Sequence, residues 1–546
     1  MDKLFVIAIG GTGMRCLESF THLCAIGMFD NQEIEILTLD TDQTNGNKGK
    51  VEDLIRLYNR IKTSGSTEGG TPNANTFFSA KLNLNRFFTN YSGSGRENYK
   101  NISKISSGST EQQEANKLIS DLFLDNNSVQ EFNLSHGYRA QTHLGSMLMY
   151  HGIIEAARNI ARGLDVQSQE RELESFVSKL RQAAENARVF IFGSVFGGTG
   201  ASSIPVIPKA LQEFTKITSN NTQSIDFTKA KFGSTLLTEY FTFPDPDKAQ
   251  KSTKENSVIA DSRYFPINSQ AALQFYQSDP TVQKCYKILY HIGWPIESRR
   301  IDEDNLGHKT ITGGANQKNP CHITELLCAC AAYNFFTRKD VFDMVKAKYL
   351  YKAVEFKNNS FNFSFNDFVG NINKSGEIFA NRLGAFFSLA HISLTLNGAA
   401  NGDSGIKGFI TRCEKQKLTQ YSTIKDDECN DINDYFKLFA YKFETEKFVS
   451  GWLYQIRNSV APGTFMFDSK SFPDTPPELR KLDVGSIFID GKYHWPKGGF
   501  SSRYDTFINK LINSDFKDEQ KVNTTKEKFL AHIFNAITIS QNFNLN

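Results

Sequence analysis

The segment from Arg188 to Leu211, RVFIFGSVFGGTGASSIPVIPKAL, constrains the fold of this chain more than any other. It opens with apolar, β-favouring residues, breaks at Gly197-Gly198-Thr199-Gly200, and continues to Pro205 and Pro208, which suit the first turns of a helix. A helix N-terminus presents unpaired N–H groups, and glycine lets the backbone approach an anion closely. The order strand, glycine turn, helix therefore predicts a phosphate site at this loop.

A tight turn or a helix C-cap is the simpler explanation of such glycines, because both need a positive φ. That explanation covers one or two glycines. It accounts less well for GGTG followed directly by Ala201, Ser202 and Ser203, where hydroxyl groups supply further hydrogen-bond donors. We therefore favour the anion site.

The N-terminus repeats the same unit. Leu4 to Ile9 is typical of a short buried strand, Gly10-Gly11-Thr12-Gly13 follows at once, and the residues after it have helical spacing. The next strand, Glu33 to Leu39, ends in Asp40-Thr41-Asp42. Alternating strands and helices predict an α/β fold with helices on both faces of a parallel sheet, whose ligands collect at the carboxyl ends of the strands. We expect both glycine turns and Asp40 to Asp42 to meet at that edge.

Composition excludes several classes of function. The 546 residues suffice for about two to four domains, and a net charge of +3 gives no electrostatic signature of direct nucleic-acid binding. The apolar run at the N-terminus is too short for a membrane span and lacks a signal-peptide cleavage pattern, so we expect a cytoplasmic protein with no membrane segment. Cys321, His322, Cys328 and Cys330 lie in an apolar helical run, which favours packed cysteines over a zinc site.

A third polar loop, Gly137 to Ser146 (GYRAQTHLGS), leads into another helix. Arg139 in this loop is suited to bind a terminal phosphate bidentately. The alternative is a surface arginine beside an ordinary N-cap. Residues 43–135 before it are rich in Gly, Ser, Thr and Asn, and we expect an irregular insertion of loops and short helices there.

Beyond Leu211 the alternation continues. We predict strands at Phe232 to Phe243 and at Lys287 to Gly293. Asn268 and Asn319 each stand before a helical pattern, and a helix N-cap is their simplest explanation.

The pattern changes after about residue 350, where apolar and polar residues alternate as in antiparallel strands. Ser375 to Leu396 predicts a long apolar helix. In the last helix Thr524 and Glu527 have capping-box spacing, and an apolar stripe runs from Phe529 to Ile537. We expect that stripe to pack on the core of this chain, with a partner helix as the alternative.

A Rossmann dinucleotide fold competes with other α/β folds. Its GxGxxG fingerprint requires a third glycine where this chain has Cys16, and an acidic residue earlier than Asp40. A Walker A loop, GxxxxGK(S/T), does not occur in the sequence. Both observations weaken the common alternatives.

The order of the loops resembles the nucleotide site of the tubulin/FtsZ superfamily. Members carry GGGTGTGAAPVIA, and Gly197 to Ile207 follows the same spacing, proline included. The FtsZ loop NTDAQ corresponds to Asp40 to Thr44, and GAGANPEVG corresponds without gaps to Gly137 to Gly145. The first loop, GGGGGNA or GQxGNQ in the family, corresponds to Gly10 to Arg15. The chain is most similar to divergent bacterial tubulin-like proteins.

The resemblance implies GTP or GDP with magnesium as the ligand. The first and fourth loops would wrap the α- and β-phosphates, the second would lie near magnesium and ribose, and the third would face the terminal phosphate. The residues so assigned are Gly10, Gly11, Thr12, Gly13, Met14 and Arg15, then Asp40, Asp42 and Thr44, then Gly137, Arg139, Ala140, Gln141 and Thr142, and Gly197, Gly198, Thr199, Gly200, Ala201 and Ser202. Asp42 is the candidate metal ligand, and Asn268 and Asn334 are the candidates for the guanine base.

The resemblance also implies three parts: a GTP-binding domain at 1–320, a central helix and connector at 321–350, and a divergent α+β domain at 351–546. It implies self-association into oligomers or filaments, with hydrolysis between subunits. The family's acidic NxDxxD loop has no clean copy here, so Asp367 and Glu325 are substitute candidates for the catalytic group. Met14 replaces the family's asparagine, and Phe196 replaces the first glycine of the fourth loop.

Two other functions remain open. One is a nucleotide-gated, non-hydrolysing regulatory subunit of a multigene bacterial system such as phage defence, with protein partners from the same operon. The other is a Rossmann-type dinucleotide-dependent enzyme that uses the same loops.

Overall fold

The computed structural model describes most of residues 2–351 and, beyond them, chiefly 356–357, 360–361, 365–370, 375–396, 426–440, 451–459 and 524–540, with a few isolated positions. Within 2–351 the gaps are 64–69, 90, 92–95, 104–107, 125–126, 135–136, 139, 220–228, 243–260, 296–299, 302–313, 316, 318 and 345.

A seven-stranded parallel sheet forms the centre of the structure, in the order β3-β2-β1-β4-β5-β7-β9. Its strands are β1 (Lys3–Ile9), β2 (Glu33–Asp40), β3 (Lys81–Phe88), β4 (Ala187–Phe192), β5 (Lys231–Leu237), β7 (Tyr286–Ile292) and β9 (Lys348–Tyr351). Short strands β6 (Phe241–Thr242) and β8 (Arg300–Ile301) pair in parallel, and β10 (Phe356–Lys357) and β11 (Ser360–Phe361) pair antiparallel. The predicted α/β fold with a parallel sheet is confirmed.

Helices cover the sheet. In chain order they are α1 (Gly10–Ala25), α2 (Gly46–Lys62), α3 (Tyr99–Ile102), α4 (Thr110–Phe123), α5 (Asn127–Glu131), α6 (Thr142–Ala161), α7 (Ser168–Ala183), α8 (Gly198–Ser203), α9 (Ile207–Thr218), α10 (Phe265–Ser278), α11 (Pro280–Cys285), α12 (Ile323–Thr337), α13 (Phe365–Val369), α14 (Ser375–Leu396), α15 (Asp426–Ala440), α16 (Trp452–Asn458) and α17 (Thr525–Ser540). None of these described helices combines the length and apolarity needed to cross a bilayer.

The alternation of side chains along each strand divides the core into two layers. In β1, Val6 and Ala8 belong to the layer under α1, α2 and α12, whereas Phe5 and Ile7 belong to the layer under α6, α7 and α9. Because apolar residues occupy both faces, the strand reads as a continuous apolar run, as buried parallel strands do.

The described C-terminal helices pack on the first of these layers. Phe386 of α14 lies 5.3 Å from Phe77 and 6.0 Å from Tyr435 of α15, between ring centroids. Trp452 of α16 donates a hydrogen bond of 2.9 Å to Ser19 of α1. These helices therefore share one hydrophobic core with the sheet.

Several sequence expectations at the C-terminus hold. The long helix spans Ser375–Leu396 as predicted. The capping box is present, since the Thr524 N–H donates to Glu527 and the Glu527 N–H donates to Thr524 Oγ1, both at 3.1 Å. Phe529, Leu530, Ile533 and Phe534 are buried in the core of this chain, and the Ile537 side chain lies outside the described residues.

Other expectations were wrong. The stretch 43–135, expected to be irregular, contains the long helix α2 and the edge strand β3. The sequence did not indicate β3 because the strand carries the polar residues Asn83 and Asn85. Asn268 is inside α10 rather than at its N-cap, and His322 rather than Asn319 caps α12. The segment predicted as one strand from Phe232 divides into β5 and the short β6.

The helix expected after the fourth glycine loop is divided into two helices. Pro208 lies in the first turn of α9, where a missing N–H costs nothing, and Pro205 lies in the connection from α8. The prolines thus mark the start of the second helix and not of the first.

Gly13 allows α1 to pack closely on β4. A Cβ placed at Gly13 would lie 2.6 Å from the carbonyl oxygen of Phe192, whereas a Cβ at Gly49 would meet no atom within 4 Å. Each glycine is the fourth residue of its helix. We expect Gly13→Ala to lower the free energy of unfolding by about 1–3 kcal/mol through overpacking, and Gly49→Ala to raise it by about 0.5–1 kcal/mol through helix propensity. Denaturant unfolding measures both, and equal stability of the two variants would contradict the packing.

Candidate functional site

Three glycine-containing loops and the end of β2 meet at the centre of the sheet's carboxyl edge. From β1 the chain passes outward to β2 and β3, and after β4 it passes outward on the other side to β5, so β1 and β4 flank the point where the strand order reverses. A crevice at such a point is the usual ligand site of open α/β sheets. We call the described residues of the loops Gly10–Gly13, Asp40–Thr44, Gly137–Thr142 and Gly197–Gly200 together the switch-point crevice; Arg139 is not among them.

Close approaches link these loops. A Cβ placed at Gly10 would lie 3.1 Å from Thr199 Cβ, and one at Gly198 would lie 2.7 Å from the backbone nitrogen of Ala140. A Cβ at Gly137 would lie 3.6 Å from Thr41 Oγ1 and 3.7 Å from Thr199 Oγ1. A side chain at Gly10 or Gly198 would crowd the neighbouring loop, so these two glycines allow the loops to meet.

The first loop has the character of an anion site. Gly10 adopts a φ of +65°, which few other residues tolerate, and α1 begins there without a side-chain cap or an acidic residue in its first turn. Gly11 and Thr12 are half-buried, while the following residues of α1 are buried. The positive end of a long helix therefore lies at the crevice, and helix geometry leaves its first N–H groups without intrahelical partners.

A hydrogen bond joins the helices that follow the third and fourth loops. Ser146 Oγ of α6 donates a hydrogen bond of 2.7 Å to the carbonyl of Ser202 in α8. Ala140 has a φ of +66°, an uncommon conformation for a residue with a side chain, and the N–H of Gln141 donates to the carbonyl of Tyr138 at 2.8 Å. Arg139, predicted to bind phosphate, lies outside the described residues. In the fourth loop Gly197, Gly198 and Thr199 are half-buried, but Ala201 and Ser202 are buried.

Two carboxylates lie on the β2 side of the crevice. Asp42 accepts hydrogen bonds from the Thr44 N–H at 3.0 Å, from Thr44 Oγ1 at 2.9 Å and from the Gly314 N–H at 2.6 Å. Asp40 Oδ1 accepts from the Thr41 and Asp42 N–H groups at 2.8 and 3.3 Å, whereas its buried Oδ2 has no partner in the described part of the chain. Asp40 therefore keeps one buried carboxylate oxygen that has no partner among the described residues.

Magnesium prefers such oxygen ligands and binds through one or two carboxylates together with phosphate. The described residues contain no group of three or more His, Cys, Asp or Glu side chains arranged to hold a metal. The Asp40–Asp42 pair thus fits a cation shared with a ligand's phosphates better than a cation held by the protein alone. The resemblance assigns both aspartates to the nucleotide site and Asp42 to the metal, and the unpaired Oδ2 makes Asp40 a second candidate for the metal.

A segment that the sequence did not single out lies against the crevice. The Gly46 N–H donates to the Gly314 carbonyl at 3.0 Å, and Asn45 Nδ2 donates to Gln317 Oε1 at 2.7 Å. Gln317 Oε1 would lie 3.3 Å from a Cβ placed at Gly11. The segment that contains Gly314 and Gln317 has no sequence periodicity, and only tertiary contacts bring it to the crevice. No local signal could therefore have identified it.

Other candidate residues face away from the crevice. Met14 is fully buried in the hydrophobic core. Arg15 is also buried, and its guanidinium forms an ion pair of 2.9 Å with Glu325 of α12 and donates a hydrogen bond to Tyr240. Glu325 further accepts from Tyr240 at 2.6 Å and, as part of the α12 capping box, from the His322 N–H at 2.9 Å. Arg15 and Glu325 therefore pair with each other in the core beneath the first loop.

The remaining candidates separate into two places. Asn268 is half-buried in the first turns of α10, a helix that packs beside the fourth loop through Phe265 and Phe196, 4.9 Å apart between ring centroids. Asn334 and Asp367 line a different cavity of about 560 Å³ between α12, α13 and β7, where Asn334 accepts a hydrogen bond of 2.8 Å from Tyr290. The structure does not bring these two to the glycine loops.

Comparison with models of protein families, with curated proteins and with solved structures finds no match for this chain. What the chain can bind is therefore indicated by the geometry of the crevice and by the resemblance of its loops.

Asp40 should make stability depend on pH. Burial, followed by the charge of Asp42, raises the pKa of Asp40 to about 7. An acid whose pKa is higher in the folded state binds more protons folded than unfolded, so its contribution to stability falls as pH rises from about 4 to 7. We expect metal-free wild type to lose about 2 kcal/mol of unfolding free energy relative to Asp40→Asn between pH 5 and pH 8. Denaturant unfolding of both proteins tests this. A constant difference across that range would contradict the assignment.

Proposed function

We propose that the switch-point crevice binds a guanine nucleotide, GTP or GDP, with magnesium, and that the chain is a tubulin/FtsZ-like protein that self-associates into oligomers or filaments. One observation carries the proposal: Gly10–Gly13, Gly137–Thr142 and Gly197–Gly200 converge where the strand order reverses between β1 and β4. These are the loops on which the family resemblance depends.

The chemistry of the crevice supports a polyphosphate ligand. The backbone N–H groups of Gly11 and Thr12 lie in the first turn of the long helix α1, whose dipole favours negative charge at this end. Glycines on three loops remove the side chains that would keep phosphate oxygens at a distance. Thr199 adds a hydroxyl within reach of the first and third loops.

Magnesium would neutralise phosphate charge beside Asp40 and Asp42. Without a cation the two carboxylates would repel a phosphate, so we expect binding to require the metal. The chain's own contribution is to orient the phosphates along the glycine loops and to exclude water from the buried side of the crevice.

Turnover, if present, would be transfer of the terminal phosphoryl group to water, favoured by charge stabilisation from the loops and the metal. Glu325 forms an ion pair with Arg15 and a hydrogen bond with Tyr240, and Asp367 lines another cavity. Neither carboxylate is therefore positioned to activate water in this crevice. We therefore infer that an activating group would come from a neighbouring subunit. A chain without such a neighbour would act as a nucleotide-gated regulatory subunit instead.

A dinucleotide-binding enzyme is the second candidate, and one observation favours it. Asp40 is the last residue of β2 and ends at the crevice, where an acidic side chain could bind ribose hydroxyls. Two observations stand against this candidate: Asp40 comes later in the chain than the fingerprint requires, and Cys16 takes the place of the third glycine.

Gly11→Leu should abolish nucleotide binding and leave the protein folded. The three atoms nearest to a Cβ at Gly11 are side-chain ends of Gln317, Asn45 and Asn47, at 3.3–3.5 Å, so these neighbours can adjust while the new side chain occupies the crevice. Titration calorimetry with GTP, GDP, ATP and NAD in the presence of magnesium measures the affinities. We expect GTP and GDP to bind wild type more tightly than ATP or NAD.

Gly49→Leu is the matched control, because its side chain enters open space on α2. It should bind GTP as wild type does. Binding of NAD alone, or unchanged GTP affinity in folded Gly11→Leu, would contradict the proposal. Phosphate release that rises more than linearly with protein concentration would support hydrolysis between subunits, and no release would support the gated subunit.

A further inference from the structure

Asn47, in the first turn of α2, has a side-chain amide without a hydrogen-bond partner in the described part of the chain. The residue is only 3 % exposed, yet neither its Oδ1 nor its Nδ2 has a partner among the residues that the structure describes. Buried side-chain amides are nearly always hydrogen-bonded, because an unpaired one loses its water contacts without compensation. An unpaired amide beside a crevice indicates a missing ligand.

The amide faces the first glycine loop. Asn47 Nδ2 would lie 3.5 Å from a Cβ placed at Gly11, in the space that the glycine leaves open. Thr41 is a second case on the same side. It is 2 % exposed, its Oγ1 has no partner within the described chain, and this oxygen would lie 3.6 Å from a Cβ placed at Gly137. Among the described residues, two buried and unpaired polar groups therefore border the crevice. Asn47 lies next to the first loop, and Thr41 lies next to the third loop, which is the loop expected to face the terminal phosphate.

The backbone around Asn47 holds the amide in this place. Asn45 Oδ1 accepts hydrogen bonds from the N–H groups of Asn47 at 2.9 Å and of Lys48 at 3.3 Å, which caps α2. The Gly46 N–H is bound to the carbonyl of Gly314. The helix start is thus fixed on both sides, and the free atoms of Asn47 are left for a ligand.

The chemistry of these groups selects the part of the ligand that binds here. Asn47 Nδ2 and Thr41 Oγ1 are hydrogen-bond donors, which match phosphate oxygens, and Asn47 Oδ1 can accept from a metal-bound water. Lys48 is not available as a counter-charge, because it pairs with Glu52 at 3.5 Å. Recognition on this side would therefore depend on neutral donors and the metal.

We propose that Asn47, assisted by Thr41, binds the terminal phosphate of a nucleoside triphosphate in the switch-point crevice and so distinguishes tri- from diphosphates. The inference rests on the proposed function. The inference extends the proposed function, because it assigns the discrimination between GTP and GDP to Asn47, which lies outside the loops that carry the family resemblance.

Asn47→Ala tests the assignment with GTP and GDP titrated in the presence of magnesium. A hydrogen bond to a charged group is worth about a 10- to 100-fold change in affinity. We expect the dissociation constant for GTP to rise by about that factor and that for GDP by less than about 3-fold. Because the amide makes no hydrogen bond within the described fold, the unfolding midpoint of the nucleotide-free variant should not fall.

Asn59→Ala is the matched control. Asn59 lies on the same helix and is equally buried, at 3 %, but its Nδ2 donates to the carbonyl of Leu82 at 3.0 Å. This variant should lower the unfolding midpoint and leave the ratio of GTP to GDP affinity unchanged.

Three results would overturn the inference. If wild type binds neither GTP nor GDP, the proposed function fails and the inference fails with it. If wild type binds both and Asn47→Ala weakens them equally, only the assignment to the terminal phosphate fails. If Asn47→Ala leaves both affinities unchanged and lowers the unfolding midpoint, Asn47 has a structural role and no ligand.

Discussion

The structure depends on the close approach of α1 to β4 at the centre of the sheet. Gly13 has no side chain, so the backbone of α1 can lie against the carbonyl of Phe192, and Gly200 makes a similar approach to the backbone of Ser194. With β1 and β4 paired along Lys3 to Ala8, the two glycine loops that follow these strands must emerge side by side. The crevice is thus a consequence of strand order and of glycines placed where a Cβ would strike backbone.

Beneath the crevice, charge is buried in pairs. Arg15 and Glu325 join α1 to α12 directly below the first loop, and the ring of Tyr240 completes the contact. Breaking such a pair leaves an uncompensated charge, so the two helices are held in one arrangement. At the other end of α1, His22 packs on Trp452 with ring centroids 4.6 Å apart. One helix therefore presents its N-terminus to the crevice and its last turns to the C-terminal helices.

The sequence predicted the parts of the structure that local patterns specify. The strands β1 and β4, the glycine turns and the helix Ser375–Leu396 each have a periodicity or a turn residue that identifies them. The strand β3 was missed because Asn83 and Asn85 bind Glu35 across the sheet, a tertiary reason for polar residues in a strand. The roles of Arg15, Glu325 and Asn334 were beyond prediction for a related reason, because each depends on a partner distant in the chain. Asn47 could be recognised only because its buried amide has no hydrogen bond to any residue that the structure describes.

The central claim is that a nucleotide's phosphates bind between the first and fourth loops. Hydrogen–deuterium exchange of the full chain, with and without GTP and magnesium, tests it most directly, because amide protons that bind phosphate exchange more slowly. The account predicts slower exchange at Gly11–Thr12 and at Gly198–Thr199 together, with no change around the cavity lined by Asn334 and Asp367. Unchanged exchange at both loops under saturating GTP, or slowing confined to that other cavity, would contradict it.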